Sequence, residues 1–340
     1  MAATSSVLPA ALFLAMLAGP ETGSAAAVPA PGSSLRADDY RVGTVTYRLA
    51  SRGASFCRQS HPLTGMMLHH LGEYPISRRA EASRRFGLAR GPGVLAVVEG
   101  SPAAQAGLLA GDVLLSVDNR PFPSPDATAA EPDDKKRRRF MEAAEAQLEE
   151  QLRSGPARLH VYRDGRVILV DLNPVRGCPA RGRLARSGQP NAFADGRWAI
   201  MTTKLLGFIR NDDELAVAMA HELAHNILGH PGELENVVPK GILRNIGKNA
   251  ARVHKTEEEA DRLGIKLVWA AGYDVSAAIP FWRRLYAKYD PIPTPKLFRT
   301  HPSLAARERL INQTIAELRG AGSQLGAKRP EFGEGSLRQR

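Results

Sequence analysis

The run His221-Glu222-Leu223-Ala224-His225 constrains this chain more than any other feature in it. Histidines four apart share one face of a helix, where both imidazoles can turn toward a single ion. A glutamate one residue after the first histidine then reaches the water that such an ion activates. The run therefore asks for a helix at a buried polar centre. Its start is marked: Asn211 can cap, Glu214 stands three positions on to close a capping box, and Asp212 and Asp213 fall in the first turn, where the helix dipole favours negative charge.

Two ligands do not complete such a site. Further along, Glu257, Ala260, Asp261, Gly264, Leu267, Val268 and Ala271 fall on one side of a second helix. Carboxylates on an inward stripe are costly unless paired or bound to metal. Glu257 is thus the expected third ligand, and Asp261, one turn later, is placed to hydrogen-bond a ligating imidazole. Thr256 with Glu259 can cap this helix, which is expected to open there. The expectation is one Zn²⁺ per chain with a fourth position open, His221, His225 and Glu257 as ligands and Glu222 as general base. A purely structural zinc site is disfavoured by that open position. His230, five residues after His225, is out of register for a helical ligand and reads as a partner of the helix C-terminal dipole beside Gly229 and Pro231. His61, His69, His70, His160 and His254 show no partner pattern and default to surface or satisfied core positions.

With 340 residues, 43% of them hydrophobic, the chain has room for two ordinary domains plus tails. Residues 1–27 read as a signal peptide, from the apolar run Val7 to Gly19 and the small residues Gly23 to Ala27, and imply export to the periplasm. Because no Lys or Arg precedes Arg36, a disordered Ala/Pro-rich leader is the alternative. No later segment reaches the ~18 apolar residues of a membrane span, so peripheral contact with the envelope membrane is the most that is expected. A net charge of +11 is compatible with nucleic acid, anionic lipid or acidic polymers, and export removes nucleic acid from that set. The basic run Lys135 to Arg139 reads as a solvated helix face. Cys57 and Cys178 are too few for a zinc knuckle; they can form a disulfide in an oxidising compartment or remain two buried thiols.

Along the chain, 28–84 is expected to hold a linker, a strand at Val42 to Leu49 and a helix around Tyr74 to Arg85. From Gly93 the pattern is strand, short helix, strand, longer helix and a hairpin turning at Asp164-Gly165. The stretches from Gly91 to Val98 and from Gly100 to Leu114 resemble a PDZ domain of the bacterial envelope-protease kind, with expected bounds 85–175. That resemblance implies a loop at Arg85-Phe86-Gly87-Leu88 that would aim backbone N–H groups at a peptide's C-terminal carboxylate, beside an edge open to an added strand. The plainer alternative is that Phe86 and Leu88 begin a buried strand. An insertion from Pro121 to Asp134 departs from the usual PDZ pattern.

After Leu184, two strand-like runs flank Asp195-Gly196, and helices follow to Leu318. His221-Glu-Leu-Ala-His225 followed by Glu257-Glu-Glu-Ala-Asp261 resembles the HtpX-like and CAAX-prenyl-protease-type gluzincin metallopeptidases, in particular their soluble periplasmic members. The likeness covers about Cys178 to Leu318, within an expected catalytic domain of 176–319, with 320–340 left as a disordered basic tail. It implies a substrate-binding edge strand at Asn191-Ala192-Phe193-Ala194 and roles near the metal for His301 and Arg307, in carbonyl polarisation or in structuring the site. The expected fold is α+β: a mainly helical zincin domain with a small hairpin sheet, preceded by a PDZ β-sandwich-like domain. The expected activity is endopeptidase cleavage of unfolded or misassembled polypeptides, with client C-termini read by the PDZ-like part. The competing expectation is an envelope chaperone or scaffold with little proteolysis.

Overall fold

The computed structural model describes residues 34–123, 134–179, 181–237, 247–289 and 303–324. The leader over 1–27, residues 124–133 of the insertion, His301 and the tail beyond 324 lie outside them. The chain runs through α1 (Ser34–Arg52), β1 (His61–Leu63), β2 (Met66–His69), α2 (Ile76–Phe86), β3 (Gly93–Val97), the one-turn α3 (Pro102–Gln105), β4 (Val113–Val117), β5 (Arg120–Pro121), α4 (Asp134–Arg153), β6 (Ala157–Arg163), β7 (Arg166–Leu172) and β8 (Val175–Gly177). It continues with β9 (Gly182–Ala185), β10 (Ala192–Ala194), β11 (Ala199–Thr202), the one-turn α5 (Thr203–Leu206), α6 (Asp212–Leu228), α7 (His230–Val237), α8 (Gly247–Ala270), α9 (Ala278–Tyr289) and α10 (Leu304–Gln324).

Two cores organise these elements. In the first, strands in the order β2-β3-β4-β6-β7, all antiparallel, with β5 beside β4, are covered by α4. Leu148 and Leu152 of that helix bury against Val94, Leu114, Leu159 and Leu172 of the sheet. The β6–β7 hairpin turns through Asp164 (φ 48°) and Gly165 (φ 80°), both left-handed, as a two-residue turn matched to strand twist requires. In the second core, α6 is buried from Glu214 to His225 on every face, among residues of α1, α8, α9 and α10 and a sheet ordered β10-β11-β9. The whole is α+β. Among the described residues no helix is long and apolar enough to cross a membrane.

The stretch Val42 to Leu49, expected as a strand, is helical. Val42, Val45 and Leu49 are buried together at three- and four-residue spacing, so the packing has a helical period; the β-branched Val42, Thr44, Val45 and Thr46 mask it in the sequence. The segment Arg85 to Leu88 is no open loop beside a sheet edge either. Phe86 ends α2, Gly87 is its left-handed cap (φ 68°), and Leu88 is fully buried with Leu71 and Ala82. One edge of the first core's sheet is instead β2, entered through Thr64 and Gly65 (φ 74°).

Cys57 and Cys178 are joined in a disulfide with Cα atoms 5.4 Å apart. Beside it β1 pairs with β8, so entry to and exit from the first core lie together. Between the cores lies a cavity of ≈ 150 Å³, lined by Met66 and Leu68 of β2, Leu152 of α4, Tyr47 of α1 and Arg181 and Arg183 around β9.

Candidate metal centre

Helix α6 begins as its sequence dictates, with Asn211 Oδ1 accepting from the Glu214 N–H at 3.0 Å. Glu214 reaches back one residue further than a capping box, to the Arg210 N–H, and also pairs with Arg284. The helix ends at Gly229 (φ 77°). Helix α8 crosses α6 so closely that a Cβ on Gly264 would stand 3.3 Å from the His221 backbone nitrogen. This close approach carries Glu257 to the two histidines. Helix α8 starts well before Thr256, contrary to the expected cap; Thr256 is interior and its hydroxyl donates to the Val253 carbonyl at 2.8 Å.

His221 Nε2 and His225 Nε2 lie 3.3 Å apart, and Glu257 Oε2 and Oε1 lie 3.4 Å from the first and second. Ligands held at ~2.0–2.1 Å in a tetrahedron are separated by roughly 3.3–3.4 Å, so the two imidazole nitrogens stand at the spacing of a zinc site, with one carboxylate oxygen of Glu257 at a similar distance from each. All three residues are buried. Behind them, His221 Nδ1 is 2.9 Å from Asp261 Oδ1, and Arg307 Nε donates to Asp261 Oδ2 at 2.8 Å while its Nη2 lies 3.5 Å from Glu257. Arg307 is fully buried, its guanidinium 4.0 Å from the Trp282 ring centroid. It sits behind the carboxylates of Asp261 and Glu257.

The electrostatics ask for a cation. Among the described residues, Glu222, Glu257 and Asp261 are buried around one buried guanidinium, that of Arg307. Burial opposes charge on the His221 ring, but hydrogen bonds with Asp261 and Glu257 outweigh it and push its pKa up to about 10 in the metal-free protein. A divalent ion can supply the charge that this proton supplies. Burial, opposed by His221 and reinforced by Glu257, raises the Glu222 carboxyl to about 7.

These residues fit a metal by donor type, spacing and charge, and the comparisons with known proteins agree. Residues 176–251 and 250–315 match the model of peptidase family M48, and residues 93–131 match that of a PDZ domain. The chain carries an M48 peptidase domain behind a PDZ domain. The M48 family implies a divalent metal at this centre. The mitochondrial metalloendopeptidase OMA1 of Schizosaccharomyces pombe is 29% identical over 154 residues, 39% of this chain and 45% of that protein. A beta-barrel assembly-enhancing protease of Yersinia pestis is 26% identical over 193 residues, 47% of this chain and 38% of that protein. The chain thus spans less than half the length of these relatives. Among solved structures, the HtrA3 PDZ domain bound to a phage-derived ligand aligns at 19% identity and TM-score 0.24, covering 35% of this chain and 92% of that one. The HtrA-type protease AlgW with a decapeptide aligns at 22% and 0.23, covering 34% and 30%.

The remaining expected site residues are distributed unevenly around the M48 centre. Strand β10 holds Ala192 and Phe193 at the free edge of its sheet, antiparallel to β11. Asn191 spends its backbone on Thr202, whose N–H donates to the Asn191 carbonyl and whose hydroxyl accepts its N–H, both at 2.9 Å. By the alternation of an antiparallel pair, Ala192 and Ala194 are the residues whose backbone groups face the open edge. His230 is no mere dipole partner: it opens α7, is buried, and its Nδ1 lies 3.0 Å from His225 Nδ1, across that ring from the donor cluster. The sequence gives no spacing rule for that contact, since it depends on the chain reversing at Gly229.

Proposed function

We propose that this chain is a zinc-dependent endopeptidase of the bacterial cell envelope, one Zn²⁺ per chain, acting on unfolded or misassembled polypeptides. The observation that carries the reading is the buried cluster of His221, His225 and Glu257, with the two Nε2 atoms 3.3 Å apart and a Glu257 oxygen 3.4 Å from each, beside the buried Glu222 on the histidines' own helix. When bound, the metal supplies Lewis acidity toward the scissile carbonyl and makes water a better acid. Glu222 takes the water proton and passes it to the leaving amine. Asp261 holds His221 by its Nδ1, leaving Nε2 to ligate, and Arg307 keeps Asp261 ionised and Glu257 in place.

The substrate backbone adds as a strand to β10, hydrogen-bonding the outward N–H and C=O groups of Ala192 and Ala194 while the exposed Phe193 packs against its side chains. Such backbone pairing is indifferent to sequence and requires an extended, hence unfolded, client. Recognition of client C-termini belongs to the PDZ domain, with β2 as the edge that a client strand joins and α4 forming the other wall. Export to the periplasm, with peripheral membrane contact at most, fits the leader and the disulfide. Zinc content and casein cleavage of wild type and Glu222→Gln, measured side by side, test the reading. Zinc in both and cleavage only in wild type is expected; equal cleavage removes Glu222 as base, and a zinc-loaded wild type without cleavage favours the scaffold reading.

A further inference from the structure

Beyond the ligands, His225 is the start of a chain of contacts that leaves the site. Its Nε2 faces His221 and Glu257, while its Nδ1 lies 3.0 Å from Nδ1 of His230. The two rings are 5.0 Å apart at 75°. His230 Nε2 in turn lies 3.2 Å from Glu259 Oε2, on the turn of α8 next to Glu257. His230 is buried and Glu259 half-exposed, so the chain runs from the metal centre to solvent.

Two nitrogens 3.0 Å apart share one proton, and the ligand role decides where it sits. A His225 that offers its Nε2 lone pair carries its proton on Nδ1 and donates it to His230 Nδ1. His230, accepting there, carries its own proton on Nε2 and donates it to the Glu259 carboxylate. Each group has one role compatible with its neighbours, so the order of donors and acceptors is settled from Glu259 inward. We propose that His230 and Glu259 are positioning residues that lock the tautomer and ring plane of His225 and so set the affinity of the metal centre, a role that rests on the metal-binding reading above. The arrangement parallels Asp261 behind His221, with a neutral imidazole inserted between the ligand and its carboxylate. It arises because Gly229, in the left-handed conformation, reverses the chain after α6 and returns His230 against the helix it has just left.

The test uses the full chain: zinc affinity by competition with a chromogenic chelator, and thermal unfolding of the metal-stripped protein, for wild type, His230→Ala, His230→Gln, Glu259→Ala and Glu258→Ala. His230→Ala is expected to weaken zinc binding by ~10–100-fold, the range for residues that orient ligands. His230→Gln should recover part of the loss, because its amide oxygen can accept the His225 Nδ1 proton. Glu259→Ala should weaken binding less than His230→Ala, and Glu258→Ala, which removes the same charge from an exposed neighbouring position, should leave it unchanged. A merely structural His230 would lower the unfolding temperature of the stripped protein and give Gln no advantage over Ala in zinc affinity; that result overturns the proposal. Wild-type affinity in both His230→Ala and Glu259→Ala overturns it as well. If His230→Ala does not fold, Glu259→Ala against Glu258→Ala decides. A wild-type chain that takes up no zinc overturns instead the metal-centre reading, and the relay with it.

Discussion

Arg307 shows how much of this site is held in place from behind. Its guanidinium has no solvent exposure and faces Asp261 and Glu257, so removing it leaves these buried carboxylates with the His221 ring as their remaining cationic contact in the metal-free protein. Arg307→Met is expected to cost ~3–5 kcal/mol in the metal-free protein, read from urea unfolding, with part of the loss recovered on zinc loading. Glu222 is the counterpart on the reactive side. Its carboxyl is raised from 4.5 to about 7, chiefly by burial. A carboxyl whose folded pKa is raised resists ionisation, so this group makes the metal-free fold less stable as pH rises from about 4.5 through about 7. Glu222→Gln should flatten that slope while retaining zinc and losing ~10²–10⁴-fold in peptide hydrolysis. In wild type, kcat/KM should rise with pH on a limb at or below about 7, since a cation beside Glu222 can only lower its pKa; a limb well above 7 contradicts the assignment.

At the scale of elements, what the sequence made legible depended on whether a local rule survived tertiary context. The start of α6 was legible because capping is local, and Asn211→Ala should cost ~0.5–2 kcal/mol in thermal or urea unfolding. The donor set was legible because histidines four apart on a helix meet whatever surrounds them. Helix α1 was not: β-branched residues favour strands in isolation, and only the second core, absent from local sequence, imposes the helical period on Val42, Val45 and Leu49. Phe86 and Leu88 misled for the same reason, since a Gly between apolar residues serves equally as a carboxylate loop or as a helix cap with its buried contact. Gly264 carried a signal that was read only as a place on the inward stripe. Its role is to let α8 approach α6, and Gly264→Val, forcing side-chain atoms against the His221 backbone, should cost ~1–3 kcal/mol and weaken zinc binding together.

At the scale of the whole molecule, the PDZ domain is held against the peptidase domain by charge, while the disulfide ties its entry to its exit within the second core. Glu145 of α4 lies 3.4 Å from Arg181 and 3.8 Å from Arg183, and Glu149 pairs with Arg181 and with His61 Nδ1 at 2.5 Å. Arg183 also pairs with Glu73 at 2.7 Å and stacks 4.5 Å from the Trp198 ring centroid. The acids come from the first core's side and the arginines from β9 and its approach, so the contact is complementary across the cavity that β2 and α4 share with the peptidase domain. Burial alone would raise the Glu149 carboxyl, but the His61 hydrogen bond and the Arg181 charge overcome it and hold its pKa at about 2, below the ordinary 4.5. A depressed carboxyl stabilises the fold fully above its unfolded pKa and loses that contribution as pH falls through the folded one. The stability difference between wild type and Glu149→Gln should therefore be constant from neutral pH down to about 4.5 and shrink toward about pH 2. Urea unfolding across that range checks this, and at neutral pH the variant should lose cooperativity between domains, with the PDZ part becoming sensitive to limited proteolysis before the peptidase part. A difference that stays constant down to about pH 2, or a variant that still unfolds as one unit with wild-type protease resistance, would show that the acidic face of α4 is not what holds the domains together.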